Sequence, residues 1–533
     1  MKIKHSPTTD GAPCAFVSQY AAAITGVLSG FDRLRLLASL RTLYQPKCML
    51  CYLSRVGVLL KDFAAFAAGW TERVRAAAHH LAEQTGRPLT YLPSSAERKE
   101  TLARDLAQHD GVSTGLIGIW SCVEPCRTYF VRRDREQKKL VLHLAPGKCL
   151  HYYFYHHHPE LGFLHLRLQT WFPFQVSVCL NGRHWLARQL DRAGVGYVQR
   201  ANCFTWLADV PKAQALAQAQ LQTHWPRLLQ PLLDQCHPLA AELCRPLALA
   251  YYWSVNESEY ATDILFQSPT ALAQLYPRLV HHGICHFGSP DGLRFLGHKV
   301  PASGQVHGNF QGQILSELKR RPEGLRLKHQ ANGNSIKLYD KQGSVLRVET
   351  TLNRPQEYRV YRASQRDPEG PLHWQVLCKG VGDLYRRAQV CEAANRRYLQ
   401  ALASVNGKTP VGELAAGVCR AVVKEGRRYR GLNPWSEKDA ALLAVISRGE
   451  WTLNGFRNRD VRAALYPGTA DPVEQRRRAG RVTRAVGLLR AHGLVRKVTG
   501  THRYVLSEAG RQIVTALLAA RRASVEQLTA FAA

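Results

Sequence analysis

No stretch of this 533-residue chain approaches the roughly 18 consecutive apolar residues that a membrane-crossing helix needs. The opening Met1-Lys2-Ile3-Lys4-His5-Ser6-Pro7 lacks the apolar core of a secretory signal, so a cytoplasmic location is expected. Phosphate-loop and dinucleotide fingerprints are missing, which argues against an ATPase, a kinase or a nicotinamide enzyme. A hydrolase nucleophile elbow is missing too. There is no internal repeat and no low-complexity tract. The 14 cysteines are scattered over a long chain, which points to reduced thiols rather than a disulfide framework.

Negative charge is also in short supply. Asp plus Glu total 40 against 72 Lys plus Arg, giving a net charge of +32. The excess is spread along the chain. Basic and acidic residues number 20 and 12 over 1–140, 30 and 19 over 141–419, and 22 and 9 over 420–533. Such a field attracts polyanions, so nucleic acid is the expected partner, DNA before RNA, and a membrane is not. With 45% hydrophobic and 21% charged residues the chain reads as globular, and its length calls for several domains.

The expected fold class is α+β and multidomain: a mostly helical basic region over 1–140, a mixed α/β nucleic-acid-binding body over 141–379, a helical connector over 380–430 and a DNA-binding domain over 431–533. Apolar residues recur at helical spacing from Phe31 to Leu43 and from Val56 to Trp70, and Ser95 to Gln108 reads as a polar helix. Strands are expected at Leu140–Leu144, Leu150–Tyr155 and Phe163–Phe174, a turn at Asn181-Gly182, and helices again from 211 to about 280. The clearest β signal is a three-stranded meander from Gly324 to Leu352, with turns at Ala331-Asn332-Gly333 and Asp340-Lys341-Gln342-Gly343. One of its faces carries Arg326, Lys328, Lys337, Tyr339 and Arg347, of which Arg326, Lys328 and Lys337 are candidate nucleic-acid contacts.

Toward the C-terminus, Ser436 caps a helix over Ala440–Ile446, Asn458 caps a second ending before Pro467, and Asp471-Pro472 opens a third running to about His492. A hairpin with its turn at Thr499–His502 follows, and Ser507 caps a last helix. This order, from Ser436 to about Arg511, resembles bacterial winged-helix repressor and replication-protein domains, as does the string Leu488-Leu489-Arg490-Ala491-His492-Gly493-Leu494-Val495. The resemblance implies that the third helix enters the major groove. It implies DNA contacts from Arg476, Arg477, Arg478, Arg481 and Arg484, with Arg503 on the wing.

Catalytic candidates are few. Asp340 at a strand end and Glu349 on the next strand can hold a divalent metal such as Mg2+, the arrangement of many nucleases, although Thr351 stands where such enzymes place a lysine. The segment Tyr339-Asp340-Lys341 followed by Val345–Thr351 resembles phage and plasmid rolling-circle replication initiators. That resemblance implies a nucleophilic tyrosine at Tyr361 or Tyr358. The His-hydrophobic-His metal strand of those proteins is broken here, as His165-Leu166-Arg167. Cys48-x2-Cys51 with Cys122-x3-Cys126 has zinc-like spacing, but the halves are far apart and zinc is not expected. Aromatic runs at Tyr152–Tyr155, Trp171–Phe174 and Tyr251–Trp253 read as core first and as base-stacking platforms beside Arg167, Arg183 and Arg188 second. The chain therefore reads as a nucleic-acid-binding protein of a mobile element or plasmid with a DNA-processing or replication-initiation role. The alternatives are a non-catalytic DNA- or RNA-binding protein, such as a ribonucleoprotein subunit, and a large transcriptional regulator.

Overall fold

The computed structural model describes residues 3–5, 14–298, 300, 312–321, 324–364, 367, 369–403, 411–448, 451, 455–498 and 501–524. The protein is mixed α/β. Two compact units are each gathered from non-adjacent segments. The larger comprises Gly26–Asp263 and Thr351–Glu392; the smaller comprises Met1–Thr25, Ile264–Thr350 and Ala393–Ala533.

The larger unit is built on a mixed sheet with the order Tyr252–Phe266, Ile24–Ser39, Val176–Asn181, Gly162–Gln169, Lys139–His158, Gly115–Asp134, Leu89–Tyr91. Pairing from Ile24–Ser39 to Gly115–Asp134 is antiparallel, and Leu89–Tyr91 joins in parallel. The helix Phe63–Thr85 buries Phe63, Ala67, Trp70, Val74, Ala78 and Leu81, one stripe at helical spacing. Its Phe63 and Phe66 meet Phe172. The opposite sheet face is polar, because alternate residues of each strand point the same way. Arg33 and Arg35 are paired there with Asn181 and Cys179, His165 with Cys179, and Tyr153 with Arg167. The helix Lys99–His109 packs at one end of this face, over Trp120, Tyr155 and Phe163.

Several expectations fail here. Phe31–Ser39 lies in the 16-residue strand Ile24–Ser39 rather than in a helix, with Leu34, Leu36 and Ala38 buried at period two. The region over 1–140, expected to be mostly helical, also holds the 20-residue strand Gly115–Asp134, so it is a mixture of helix and strand. Tyr252–Phe266, expected within a helical stretch, is a strand. Asn181-Gly182 is a helix start rather than a turn. The Asn181 side chain accepts the N–H groups of Arg183 and His184, and a Cβ on Gly182 would lie 2.0 Å from the Phe31 carbonyl oxygen.

In the smaller unit, Gly324–Ala331, Asn334–Lys341 and Val345–Leu352 form the expected meander, with Asn332, Gln342 and Gly343 at left-handed φ in its turns. A further strand, Ile314–Arg321, pairs antiparallel with Gly324–Ala331 and was not read from the sequence. On one side of this sheet, Phe287, Phe295, Tyr398 and His329 pack together. Tyr276 donates its hydroxyl to the carbonyls of Leu325 and Leu338.

The C-terminal stretch of the same unit runs helix Glu437–Ile446, helix Asn458–Leu465, helix Pro472–Ala491, an antiparallel hairpin of Val495–Lys497 and Tyr504–Leu506, and helix Glu508–Arg522. Leu443, Ile446, Phe456, Val461, Val482, Val486, Leu489, Leu494 and Val514 share one core. Ser436, Asp471 and Ser507 cap their helices as expected. Asn458 does not cap. Its amide instead bonds Ala479 O at 2.9 Å and Thr483 Oγ1 at 2.8 Å, tying the second helix to the third, while Asp460 closes the helix start by accepting Arg457 N–H. The expected connector is partly β: Val422–Lys424 and Arg427–Tyr429 form a hairpin.

Candidate nucleic-acid interface

The helix Pro472–Ala491 turns Val482, Val486, Leu488 and Leu489 into the core, which leaves its other flank to solvent. Arg476, Arg477, Arg481 and Arg484 are exposed on that flank. Arg478 is not with them. Its Nε bonds Glu474 at 2.9 Å, it donates to Pro467 O, and its guanidinium lies 5.5 Å from the Tyr466 ring centre. Arg503 is half-buried in the hairpin, and the turn residues Thr499 and Gly500 lie outside the described residues. Sequence reasoning missed three sets of exposed cations nearby in the chain: Arg496 and Lys497 on the first hairpin strand, Arg459 on the second helix, and Lys424, Arg427 and Arg428 on the preceding hairpin. Their signal was present as charge, but no periodicity marks strands of three residues.

The meander face expected to bind nucleic acid exists, and its cations are engaged within the protein. Register places Arg326 opposite Tyr339 and Lys328 opposite Lys337. Arg326 Nη2 lies 2.5 Å from Glu317 Oε1, Lys328 Nζ bonds Gln330 at 2.6 Å, and Lys337 Nζ lies 2.7 Å from Glu349 Oε1. Lys337, Arg347 and Glu349 are buried. Burial works against the Glu349 charge, yet Lys337 and Arg347 hold its carboxyl below the usual carboxylate range.

The structure does not bring Asp340 and Glu349 together. Glu349 reaches Lys337 and Tyr339, so those two side chains share its face, and the intervening alternation sends Asp340 to the opposite face. Asp340 is half-buried, and its pKa is raised by desolvation. A two-carboxylate metal centre from this pair is therefore not formed. Tyr361 belongs to the larger unit, is half exposed and packs 5.5 Å from Trp374, not against a histidine cluster. Tyr358 is buried.

The other motifs resolve mostly into structure. Phe154, Tyr155, Phe172, Phe174 and Trp253 are buried core, not stacking platforms. Arg183 is fully buried against Asp263 at 2.8 Å and cannot reach a ligand. His156 is buried with Cys236 beside it at 3.6 Å, and desolvation pulls its pKa down to about 3. Arg167 and Lys99 flank Glu124 at 2.9 and 3.2 Å. Burial opposes ionisation of Glu124, but hydrogen bonds from Tyr153 and Cys122 and the charge of Arg167 bring it to about 2.

One cavity of about 460 Å3 opens on the polar face of the larger unit. Asp32, Glu259, Arg33, Arg104, His165 and His184 line it. Asp32 accepts from Asn181 at 3.2 Å and from Asn202 at 2.6 Å. Its lining mixes both charge signs, which fits neither the apolar pocket of a ligand-gated regulator nor a track for phosphates. Cys48 and Cys51 sit on the helix Pro46–Arg55, and Cys122 bonds Glu124, so the four-thiolate set read from spacing is not assembled; Cys126 instead lies beside Cys149. No protein-family model matches this chain, and no curated protein or solved structure shows significant similarity to it.

Proposed function

We propose that this is a DNA-binding protein of a mobile element or plasmid that docks on duplex DNA through a C-terminal winged helix. One observation carries the reading: the third helix of a helix–helix–helix–hairpin array keeps an apolar stripe in the core and presents Arg476, Arg477, Arg481 and Arg484 to solvent. The backbone bridge between Phe456 and Tyr504 ties the segment before the second helix to the hairpin, a contact that fits a winged helix. The chain acts as a binder rather than a metal-dependent nuclease, a reading supported by the divergence of Asp340 and Glu349 onto opposite faces. A role in replication initiation then consists of recognising and holding DNA, with cleavage left to other proteins.

Anisotropy titrations of the full chain with labelled duplex DNA, single-stranded DNA and RNA across a salt series test this. Duplex is expected to bind tightest. The slope of log K against log salt is expected to fall by roughly 0.9 for each phosphate-contacting arginine removed among the four. Unchanged duplex affinity in the Arg476→Ala/Arg477→Ala/Arg481→Ala/Arg484→Ala variant refutes the docking mode.

A further inference from the structure

The strands Gly115–Asp134 and Lys139–His158 pair antiparallel with Glu124 opposite Cys149 and Cys122 opposite His151. Side chains at alternate positions share a face, so Cys126, Cys149 and His151 converge from two strands. Cys126 Sγ lies 3.4 Å from Cys149 Sγ, which lies 4.0 Å from His151 Nδ1. Both sulfurs and one imidazole nitrogen fall within 4.8 Å of one another. His151 is fully buried; its Nδ1 faces the Cys149 carbonyl oxygen at 3.0 Å, and its Nε2 is buried with no hydrogen-bond partner. An imidazole in that position is costly unless its ring gains a further partner.

We propose that Cys126, Cys149 and His151 bind a zinc ion. Two thiolates and one imidazole are a borderline-soft donor set that suits Zn2+ and not Mg2+ or Ca2+. Two sulfurs sharing a tetrahedral ion at Zn–S bonds of about 2.3 Å lie about 3.8 Å apart, so the observed spacing needs only a few tenths of an ångström of opening. A disulfide at about 2.05 Å would need more than an ångström of closing. Nδ1 is the ring nitrogen 4.0 Å from Cys149 Sγ and is the atom placed to meet the ion. Cys126 is the least buried of the three, so water takes the fourth position on its side. Binding converts two thiols to thiolates and releases their protons, and Arg167 on the same face favours the anions. The ion cross-links two paired strands well away from the turn that joins them, and it acts independently of the arginine helix.

The test uses the full chain purified under reducing conditions without chelator, with metal measured by inductively coupled plasma mass spectrometry. One zinc per chain is expected. Chelator-treated protein titrated with Co2+ should develop tetrahedral d–d bands and a thiolate charge-transfer band. Cys126→Ser, at a partly exposed position that tolerates the change, should weaken zinc at least tenfold, and His151→Asn likewise. Cys122→Ser, on the same face but bonded to Glu124, should leave it unchanged. Absence of zinc after reconstitution of reduced, folded protein overturns the proposal. Equal loss in the Cys122 variant does so too, as does a Cys126–Cys149 disulfide in the protein as isolated.

Discussion

Replacing Glu349 separates a structural carboxylate from a catalytic one. Its side chain is 4% exposed and sits 2.7 Å from a Lys337 side chain that is 10% exposed. Glu349→Ala leaves Lys337 and Arg347 in the interior without this anion. Breaking a buried pair from one side costs about 3–5 kcal/mol. At roughly 2–4 °C per kcal/mol for a body of this size, the melting transition of the smaller unit should fall by roughly 6–20 °C. Asp340→Ala should behave differently, because that carboxyl points away and interacts chiefly with the Gly343 N–H; its loss is expected to cost no more than about 1.5 kcal/mol. The pH dependence carries a sign. The folded Glu349 carboxyl titrates below its ordinary value of 4.5, so its contribution is complete above that pH and is lost as pH falls through the lower folded value. Differential scanning calorimetry at neutral and acidic pH reads all three. If both variants keep wild-type melting and both abolish a Mg2+-dependent DNA cleavage, the carboxylates act together on a metal and the opposite-face geometry is wrong.

Other expectations follow from the same packing. Arg478→Ala should leave duplex affinity within about twofold of wild type while destabilising the C-terminal helices slightly, since that side chain faces Glu474 and Tyr466; a large affinity loss in anisotropy would place it on DNA. Asp263→Ala strands the fully buried Arg183 and should cost about 3–5 kcal/mol in urea unfolding followed by tryptophan fluorescence. Leu489→Ala removes a fully buried side chain at the centre of the C-terminal core and should cost about 2–5 kcal/mol, with loss of DNA binding tracking the unfolded fraction. Glu124 is lowered from 4.5 to about 2, so the larger unit should lose stability between those values on acidification, and Glu124→Gln should flatten that part of the profile.

What the sequence made legible was local. Helices with one apolar stripe, the caps Ser436, Asp471 and Ser507, and the turns at Asn332 and Gln342-Gly343 depend on residues a few positions apart. The strand Ile24–Ser39 resists a sequence reading because Phe31, Leu34, Leu37, Leu40 and Leu43 also recur at helical spacing, so the segment satisfies both periods. Tyr252–Phe266 carries Ser254, Asn256, Glu257 and Glu259, and nothing local marks it as a strand. Its place beside Ile24–Ser39 is a pairing across more than two hundred residues of sequence. The Cys126, Cys149 and His151 cluster was hidden for the same reason. Spacing rules pair cysteines along one segment, whereas this set is completed by the register of two strands.

Charge was read most misleadingly, and the reason bears on function. A total of 72 Lys plus Arg suggests cations on every surface, but several are held inside. Arg183 and Lys337 are held by buried carboxylates, Arg347 lies beside Glu349, and Arg387 donates to Ser258 and to the carbonyls of Leu352 and Val255. A buried guanidinium contributes nothing to counterion release, because it never meets a phosphate. In the proposed docking mode, DNA is drawn by the exposed remainder. Within the C-terminal stretch that remainder includes Arg476, Arg477, Arg481 and Arg484 on one helix and Arg496 and Lys497 on the adjoining strand. Affinity for duplex should therefore follow the charge of these few positions rather than the total, and neutralising an equal number of meander cations should change folding before it changes binding.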